Sequence, residues 1–213
     1  GIESGYQQGE GAFVGASYRY AIHDLLDPAP DYPKDTELEL LNLAIRVPLQ
    51  SPRFWLDDFT AVRVASIPPM ETLTSERSWE LELGARTDRD TLCDHCIAGH
   101  LRAGLGGTWR PIAVLPFDAF LLVDADVSYG PGYSGFPVKP GFGPHAGIRL
   151  RVTPALALLT EGHYRYTISA PSPNIYDYGV RLRWSPAFDT ALDVRFQRYL
   201  DGWESAGGLM LYF

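Results

Sequence analysis

The chain has 213 residues and a net charge of −8, which is enough for one domain with a full core or one barrel, and too acidic to suggest a nucleic-acid surface. Its 18 basic residues comprise 16 Arg and only 2 Lys, Lys34 and Lys139, and guanidinium is favoured where a cation must be paired, desolvated or held in a fixed fork. No stretch approaches the roughly 18 apolar residues of a membrane helix, and the opening G-I-E-S-G-Y-Q-Q lacks the basic and apolar regions of a signal peptide.

Helical periodicity is almost absent. Period-two segments follow one another between Gly, Pro, Asp and Ser clusters. They predict about twelve strands, near 2–8, 11–23, 36–47, 54–67, 78–88, 96–109, 112–128, 143–153, 156–168, 174–185, 190–200 and 204–213. Several have the roughly ten residues that a tilted strand needs to cross a bilayer, and an even count suits a single-chain barrel. Every second connection carries proline (L-D-P-A-P, I-P-P-M, W-R-P-I, V-T-P-A, W-S-P-A). The opposite connections include the longest predicted loop, 129–144, with Tyr129, Tyr133, Phe136 and Phe142 placed to fold into a mouth, bind a ligand or simply form a rim. Short turns at one end and longer loops at the other are expected, with H-D-L-L-D-P-A-P-D-Y the exception.

The strands have two chemically distinct faces. In the first half, Val14, Tyr18 and Tyr20 oppose Arg19, and Trp79, Leu81 and Leu83 oppose Glu80, Glu82 and Arg86. Arg46, Arg63 and Arg102 are assigned to the same charged face, as are Asp118, Asp124 and Asp126. Further on, Ile148, Leu150 and Val152 oppose His145, Arg149 and Arg151, and Tyr164 and Tyr166 oppose Glu161, His163 and Arg165. Tyr178, Val180 and Leu182 oppose Asp177, Arg181 and Arg183, and Leu192 and Val194 oppose Asp193 and Arg195. A charge facing lipid near the midplane costs about 2–4 kcal/mol, a penalty avoided if the charged face lines an enclosed lumen. Both signs occur in similar number there, so a paired network is expected. The fold class predicted is therefore a single all-β domain over 1–213, a transmembrane antiparallel up-and-down β-barrel of about twelve strands. A soluble sandwich or lipocalin-like barrel is the alternative; scarce Lys and the aromatic ending G-L-M-L-Y-F weigh against it. Tyr212 and Phe213 resemble the terminal signal read by barrel assembly machinery, which makes that machinery and outer-membrane lipid the expected partners.

The segments Y-R-Y-A-I-H-D-L-L-D-P, L-D-D-F-T-A-V-R-V-A-S-I-P-P and S-W-E-L-E-L-G resemble the C-terminal region of Gram-negative envelope proteins that carry an N-terminal periplasmic Lnb-type domain, related to lipoprotein N-acylation enzymes. The family pattern R-P-A-x-H-D-L-L-D-P-x-x-G-Y is met except that Tyr20 replaces the proline and Asp31 the glycine. The resemblance implies a bacterial outer-membrane barrel that anchors or positions a periplasmic enzyme domain preceding it. A narrow channel for small polar or anionic solutes is the second reading, and a membrane-embedded lipid hydrolase the third.

His23, Asp24 and Asp27 form the one constellation that chemistry could use, as metal ligands or an acid–base group; a capped turn or a docking motif at the periplasmic rim explains the same residues. No serine is spaced to partner an outward histidine, so the barrel itself is expected to be non-catalytic. Cys93 and Cys96, in C-D-H-C, are too few for a zinc site and predict a short disulfide. No cofactor and no resident metal are expected.

Overall fold

The computed structural model describes residues 1–27, 35–51, 54–70, 76–88, 96–111, 116–133, 136–168, 174–187, 189–200 and 202–212. The first six strands are β1 (Ile2–Gln7), β2 (Gly11–His23), β3 (Thr36–Pro48), β4 (Trp55–Ser66), β5 (Ser78–Asp88) and β6 (Cys96–Trp109). The last six are β7 (Phe117–Tyr129), β8 (Val138–Thr153), β9 (Leu156–Thr167), β10 (Asn174–Ala187), β11 (Thr190–Tyr199) and β12 (Gly202–Leu211). Each strand pairs antiparallel with its sequence neighbours. β1 also pairs with β12, from Ile2↔Leu209 to Gln7↔Glu204, so the sheet closes into a barrel. Closure leaves no strand edge unpaired, which a hydrocarbon surround demands because it offers backbone groups no water.

The period-two pattern sorts as the sequence predicts. Val123 (66% exposed), Tyr18 (67%) and Leu105 (64%) stand on the outside, whereas Asp124 and Arg149 are buried inside. Trp79, Trp109 and Trp184 are exposed near strand ends, as an interfacial girdle requires.

Three local expectations are corrected. β7 starts at Phe117, not near 112; Pro116 immediately precedes it, and its carbonyl accepts the Arg151 N–H. β8 starts at Val138, not 143, so the predicted 129–144 loop shrinks to 130–137. The glycines that suggested a loop are strand residues: a Cβ at Gly141 would strike Asp126 and Arg165, and one at Gly143 would meet the Tyr164 carbonyl. The third correction concerns the two ends. The end carrying Gly1 and Tyr212, called here the near end, holds connections 24–35, 67–77, 110–116, 154–155 and 188–189. The far end holds 8–10, 49–54, 89–95, 130–137, 168–173 and 200–201. Two of the three two-residue connections are at the near end, as expected, but the third, 200–201, is at the far end, and the two longest connections are at the near end, part of the first of them packed inside the barrel.

Alternation is kept in β3 and β4 by bulges. Leu41 has φ 51° and drops out of the β2–β3 register between Arg19↔Asn42 and Tyr20↔Leu40. That extra residue lets Leu38 and Leu40 on one side of it, and Leu43, Ile45 and Val47 on the other, share the outer face. Register shifts around Asp57 and Ala61 do the same for β4.

The interior is not charged throughout. Leu25, Leu26 and Ile67 pack with inward-facing Phe120, Leu122, Ala157 and Leu159 in one apolar cluster.

Candidate functional site

At the near end of the lumen the chain after β2 turns inward. Asp24 Oδ1 accepts the Leu26 N–H at 2.8 Å, Asp27 Oδ2 accepts the Asp24 N–H at 2.8 Å, and the Asp27 N–H donates to the Asp24 carbonyl at 3.2 Å. Two aspartates three residues apart thus close a turn on themselves. His23, the last residue of β2, is buried with Nε2 2.9 Å from Thr36 Oγ1.

The turn is bound to the walls around it. Arg183 on β10, with its side chain fully buried, donates to both Asp24 oxygens at 2.6 Å, to Asp27 at 2.8 Å and to Asp193 at 3.0 Å. Arg19 on β2 donates to Asp24 at 2.8 Å. Arg151 on β8 donates to the Leu25 and Asp27 carbonyls at 2.9 and 3.2 Å, and the Tyr212 hydroxyl donates to Asp27 at 2.9 Å. Arg149 pairs with Asp118 at 2.8 Å and also with Asp35, at the other end of the same connection. In a ring of twelve, β2 and β8 are six strands apart and so lie on opposite walls. Residues 24–27 therefore cross the lumen as a plug with an apolar belly (Leu25, Leu26) and an anionic rim.

Electrostatics hold Asp24 ionised. Burial alone would raise the Asp24 carboxyl, but Arg183, Arg181 and Arg19 outweigh it and hold the group well below the usual carboxylate range. Burial pushes the Tyr212 phenol up despite Arg183, which keeps it a proton donor to Asp27.

Farther along the lumen the charges pair in chains. Glu82 accepts from Arg102 at 2.6 Å, contacts His100 Nε2 at 2.7 Å and faces Arg63 at 3.5 Å. Arg63 also faces Glu37 at 3.5 Å. Arg165 pairs with Asp126 at 2.6 Å, and Arg181 with Asp193 at 2.9 Å. His163 places Nδ1 3.2 Å from Asp177 and Nε2 3.0 Å from Arg102, and its ring stacks on His145 with centroids 3.8 Å apart. His145 Nδ1 sits 3.1 Å from Glu80 and 3.6 Å from Asp124, and its Nε2 is 3.7 Å from Glu161. Toward the far end Arg46, 1% exposed, holds Glu204 at 2.7 and 3.0 Å, Asp57 at 2.9 Å and Gln7 at 3.1 Å, with its guanidinium 3.8 Å over the Phe13 ring. Arg195 pairs with Glu3 at 3.1 Å and Glu204 at 3.2 Å. Between these groups runs a cavity of about 1020 Å³, lined by Glu39, Arg63, Arg86, Arg102, Arg165 and Asp177 among others.

The structure thus brings the predicted lumen residues together in three groups: around the plug, in the mid-lumen and beside Arg46. His100, Glu37, Glu204, Asp57 and the plug leucines are members that the sequence reading left out. Glu204 and Glu37 could have been found from their phase, since each sits at an inward position of its strand. The placement of the plug turn inside the lumen could not, because its Arg151, Arg183 and Tyr212 partners lie more than a hundred residues away in the chain. Tyr212 turns its hydroxyl to the plug instead of joining the outer girdle, and Phe213 lies outside the described residues. Cys96 opens β6 and is disulfide-bonded, while Cys93 lies outside the described residues. Of the predicted loop aromatics, Tyr133 is buried with Lys139 Nζ 3.5 Å over its ring. The described histidines His23, His100, His145 and His163 all lie within the barrel, so no lipid-facing catalytic pair exists among the described residues.

A closed barrel with an apolar exterior and an ion-paired interior defines a transmembrane β-barrel. The chain belongs to the family described as "Domain of unknown function (DUF7840)", whose model matches residues 1–212. No curated protein matches it. Among solved structures, it is similar in fold to the NanC porin, with a TM-score of 0.56 at 5% identity, covering 100% of this chain and 98% of that one. It is also similar to the KdgM porin in complex with disordered oligogalacturonate, with a TM-score of 0.51 at 10% identity and coverage of 100% and 98%.

Proposed function

We propose that this chain is a bacterial outer-membrane barrel that is closed at rest, with its near end toward the periplasm, and that it anchors and positions a periplasmic enzyme domain instead of passing solutes freely. The observation that carries this is the Asp24–Asp27 plug, tied at once to β2, β8 and β10 across the near end of the lumen. Two of the three two-residue turns, 154–155 and 188–189, lie at the near end, which supports the periplasmic assignment. A domain joined ahead of Gly1 would emerge beside the plug, because the Gly1 nitrogen lies 2.7 Å from the Ser17 carbonyl on β2, two residues before the plug's partner Arg19. Enzyme chemistry, on this reading, belongs to the positioned domain.

A narrow channel is the second reading. It is favoured by the polar cavity of about 1020 Å³ and by the fold shared with two porins. Planar-bilayer recording of the purified barrel separates the two. The anchor reading expects no steady conductance from the wild type, and conductance appearing when Arg183→Met loosens the plug. A steady ohmic conductance in the wild type sinks it in favour of the channel.

A further inference from the structure

Glu80 on β5, Asp124 on β7, His145 on β8 and His163 on β9 converge on one patch of the lumen wall. Each offers a ligand atom, and all four atoms lie within 4.8 Å of one another. Nothing in the plug uses these groups. We propose that they form a binding site for a first-row divalent transition cation, of which zinc is the simplest probe.

Four observations support it. First, both carboxylate oxygens of Asp124 and Nε2 of His145 are buried without a hydrogen-bond partner, although Asp124 is only 8% and His145 2% exposed. Buried polar atoms normally have a partner, so these point to an absent one. Second, each imidazole has Nδ1 against a carboxylate, His145 on Glu80 at 3.1 Å and His163 on Asp177 at 3.2 Å. A carboxylate taking one ring N–H leaves the other nitrogen with its lone pair, the arrangement that metal-ligating histidines adopt. At His163 that nitrogen, Nε2, faces the Arg102 guanidinium at 3.0 Å, which can only donate.

Third, β6 passes between β5 and β7 and presents Gly104 where the two acids meet. A Cβ there would collide with Asp124 Oδ1 and crowd Glu80 Cγ. The missing side chain is what lets two carboxylates approach across an intervening strand. Fourth, the donor set of two imidazoles and two carboxylates suits zinc and its neighbours, and its two negative charges match the cation.

Metal–ligand bonds of about 2.0–2.1 Å put tetrahedral ligand atoms about 3.3 Å apart, so the cluster has to contract by roughly 1.5 Å at its widest pair. Arg102 lies 3.3 Å from Glu80 and must release it and His163; it keeps its stronger pair with Glu82 at 2.6 Å. Glu161, 3.7 Å from His145 Nε2, stands ready as a fifth donor.

The test uses the purified full chain in detergent, stripped with chelator, titrated with zinc chloride and desalted before bound metal is measured by mass spectrometry. Folding of each variant is checked by the heat-dependent shift in its electrophoretic mobility. The wild type is expected to hold one zinc per chain. Asp124→Asn and His145→Gln are expected to bind about 10–100-fold more weakly. Gly104→Ala should do the same with every ligand intact, which keeps the proposal testable if a ligand variant fails to fold. No zinc retained by the wild type would mean that protons alone settle the cluster, and equal retention by all three variants would place the metal elsewhere; either result overturns the site. The readout is independent of conductance, so it stands apart from the choice between anchor and channel.

Discussion

Arg183→Met tests the plug directly. Arg183 is the common cation of Asp24, Asp27 and Asp193, and its side chain is fully buried. Removing one partner of a buried ion pair costs about 3–5 kcal/mol, because a charge is left without compensation. Here Asp24 keeps Arg19 at 2.8 Å and Arg181 at 3.6 Å, and Asp27 keeps the Tyr212 hydroxyl. The lower end, about 3 kcal/mol, is therefore expected, which is about a hundredfold in the docking equilibrium. Met fills the volume without a charge, and the β10 ladder to Ala157 and Asp193 is made by backbone, so the strands should hold.

Hydrogen exchange reads this residue by residue. The Leu26 and Asp27 amides, which bond within the turn, should exchange about a hundredfold faster in the variant, while β10 amides stay protected. Unchanged exchange at Leu26 would refute the claim that Arg183 holds the plug. Simultaneous loss of protection along β10 would refute the claim that the plug moves independently of the wall. Acidification gives a second reading. Asp24 is depressed in the folded state, so its stabilising contribution is complete above the unfolded carboxyl value near 3.9 and is lost as pH falls below it. In Arg183→Met the largest depressing charge is gone and burial acts unopposed by it, so the plug should loosen at a higher pH than in the wild type.

Arg46→Met should lower barrel stability by about 3–5 kcal/mol, since Glu204, itself 1% exposed, loses its closest cation at the β1–β12 seam; denaturant titration in detergent checks it, and a loss under 1 kcal/mol would count against a structural role. Arg46→Lys should restore little of it, because a point charge cannot span Glu204, Asp57 and Gln7 together. Leu41→Gly should be neutral or stabilising by about 1 kcal/mol, whereas Leu41→Val should destabilise, because positive φ costs a side chain with a Cβ about that much and a β-branched one more; the reverse order in urea unfolding would mean that the bulge is not maintained. Val123→Arg should cost about 2–4 kcal/mol in bilayers if the outer face meets hydrocarbon, and no cost in vesicle-based unfolding would argue for a wet exterior.

The barrel was legible because a membrane wall enforces its pattern on every strand. Tyr178, Val180 and Leu182 face out and Asp177, Arg181 and Arg183 face in for the same reason, and no tertiary contact can override it. Where legibility failed, interior packing set the residue choice. K-P-G-F-G-P has the composition of a loop, yet it is strand, since Gly141 makes room for the Arg165–Asp126 pair. Leu40-Leu41 breaks the alternation, and only a bulge at positive φ restores it. The plug was half legible. Asp24 and Asp27 have the spacing of a capped turn, and the structure makes them one. Its position inside the lumen depends on Arg151 and Arg183, whose distance along the chain hides any local signal. The mid-lumen cluster was hidden in the same way, because Glu80, Asp124, His145 and His163 come from four strands and meet only through the register in which β5 to β9 pair.

The pairing pattern also bears on what the lumen can pass. Electrostatic guidance of an anion needs guanidinium groups that are not already neutralised. Arg19, Arg46, Arg63, Arg102, Arg149, Arg165, Arg181, Arg183 and Arg195 each lie within 4.0 Å of a carboxylate. An acidic solute that engages one of these nine must displace a carboxylate from its arginine and leave that carboxylate in a confined space. Each such exchange trades one charge-assisted pair for another of similar strength, so little net attraction remains to offset the lost freedom of the solute. The same pairs cross-link many of the strands, among them β3 to β12, β5 to β6, β7 to β8 and β10 to β11. Cross-linking of this kind stiffens the lumen wall, as the proposed anchor requires, and planar-bilayer recording decides whether the lumen also conducts.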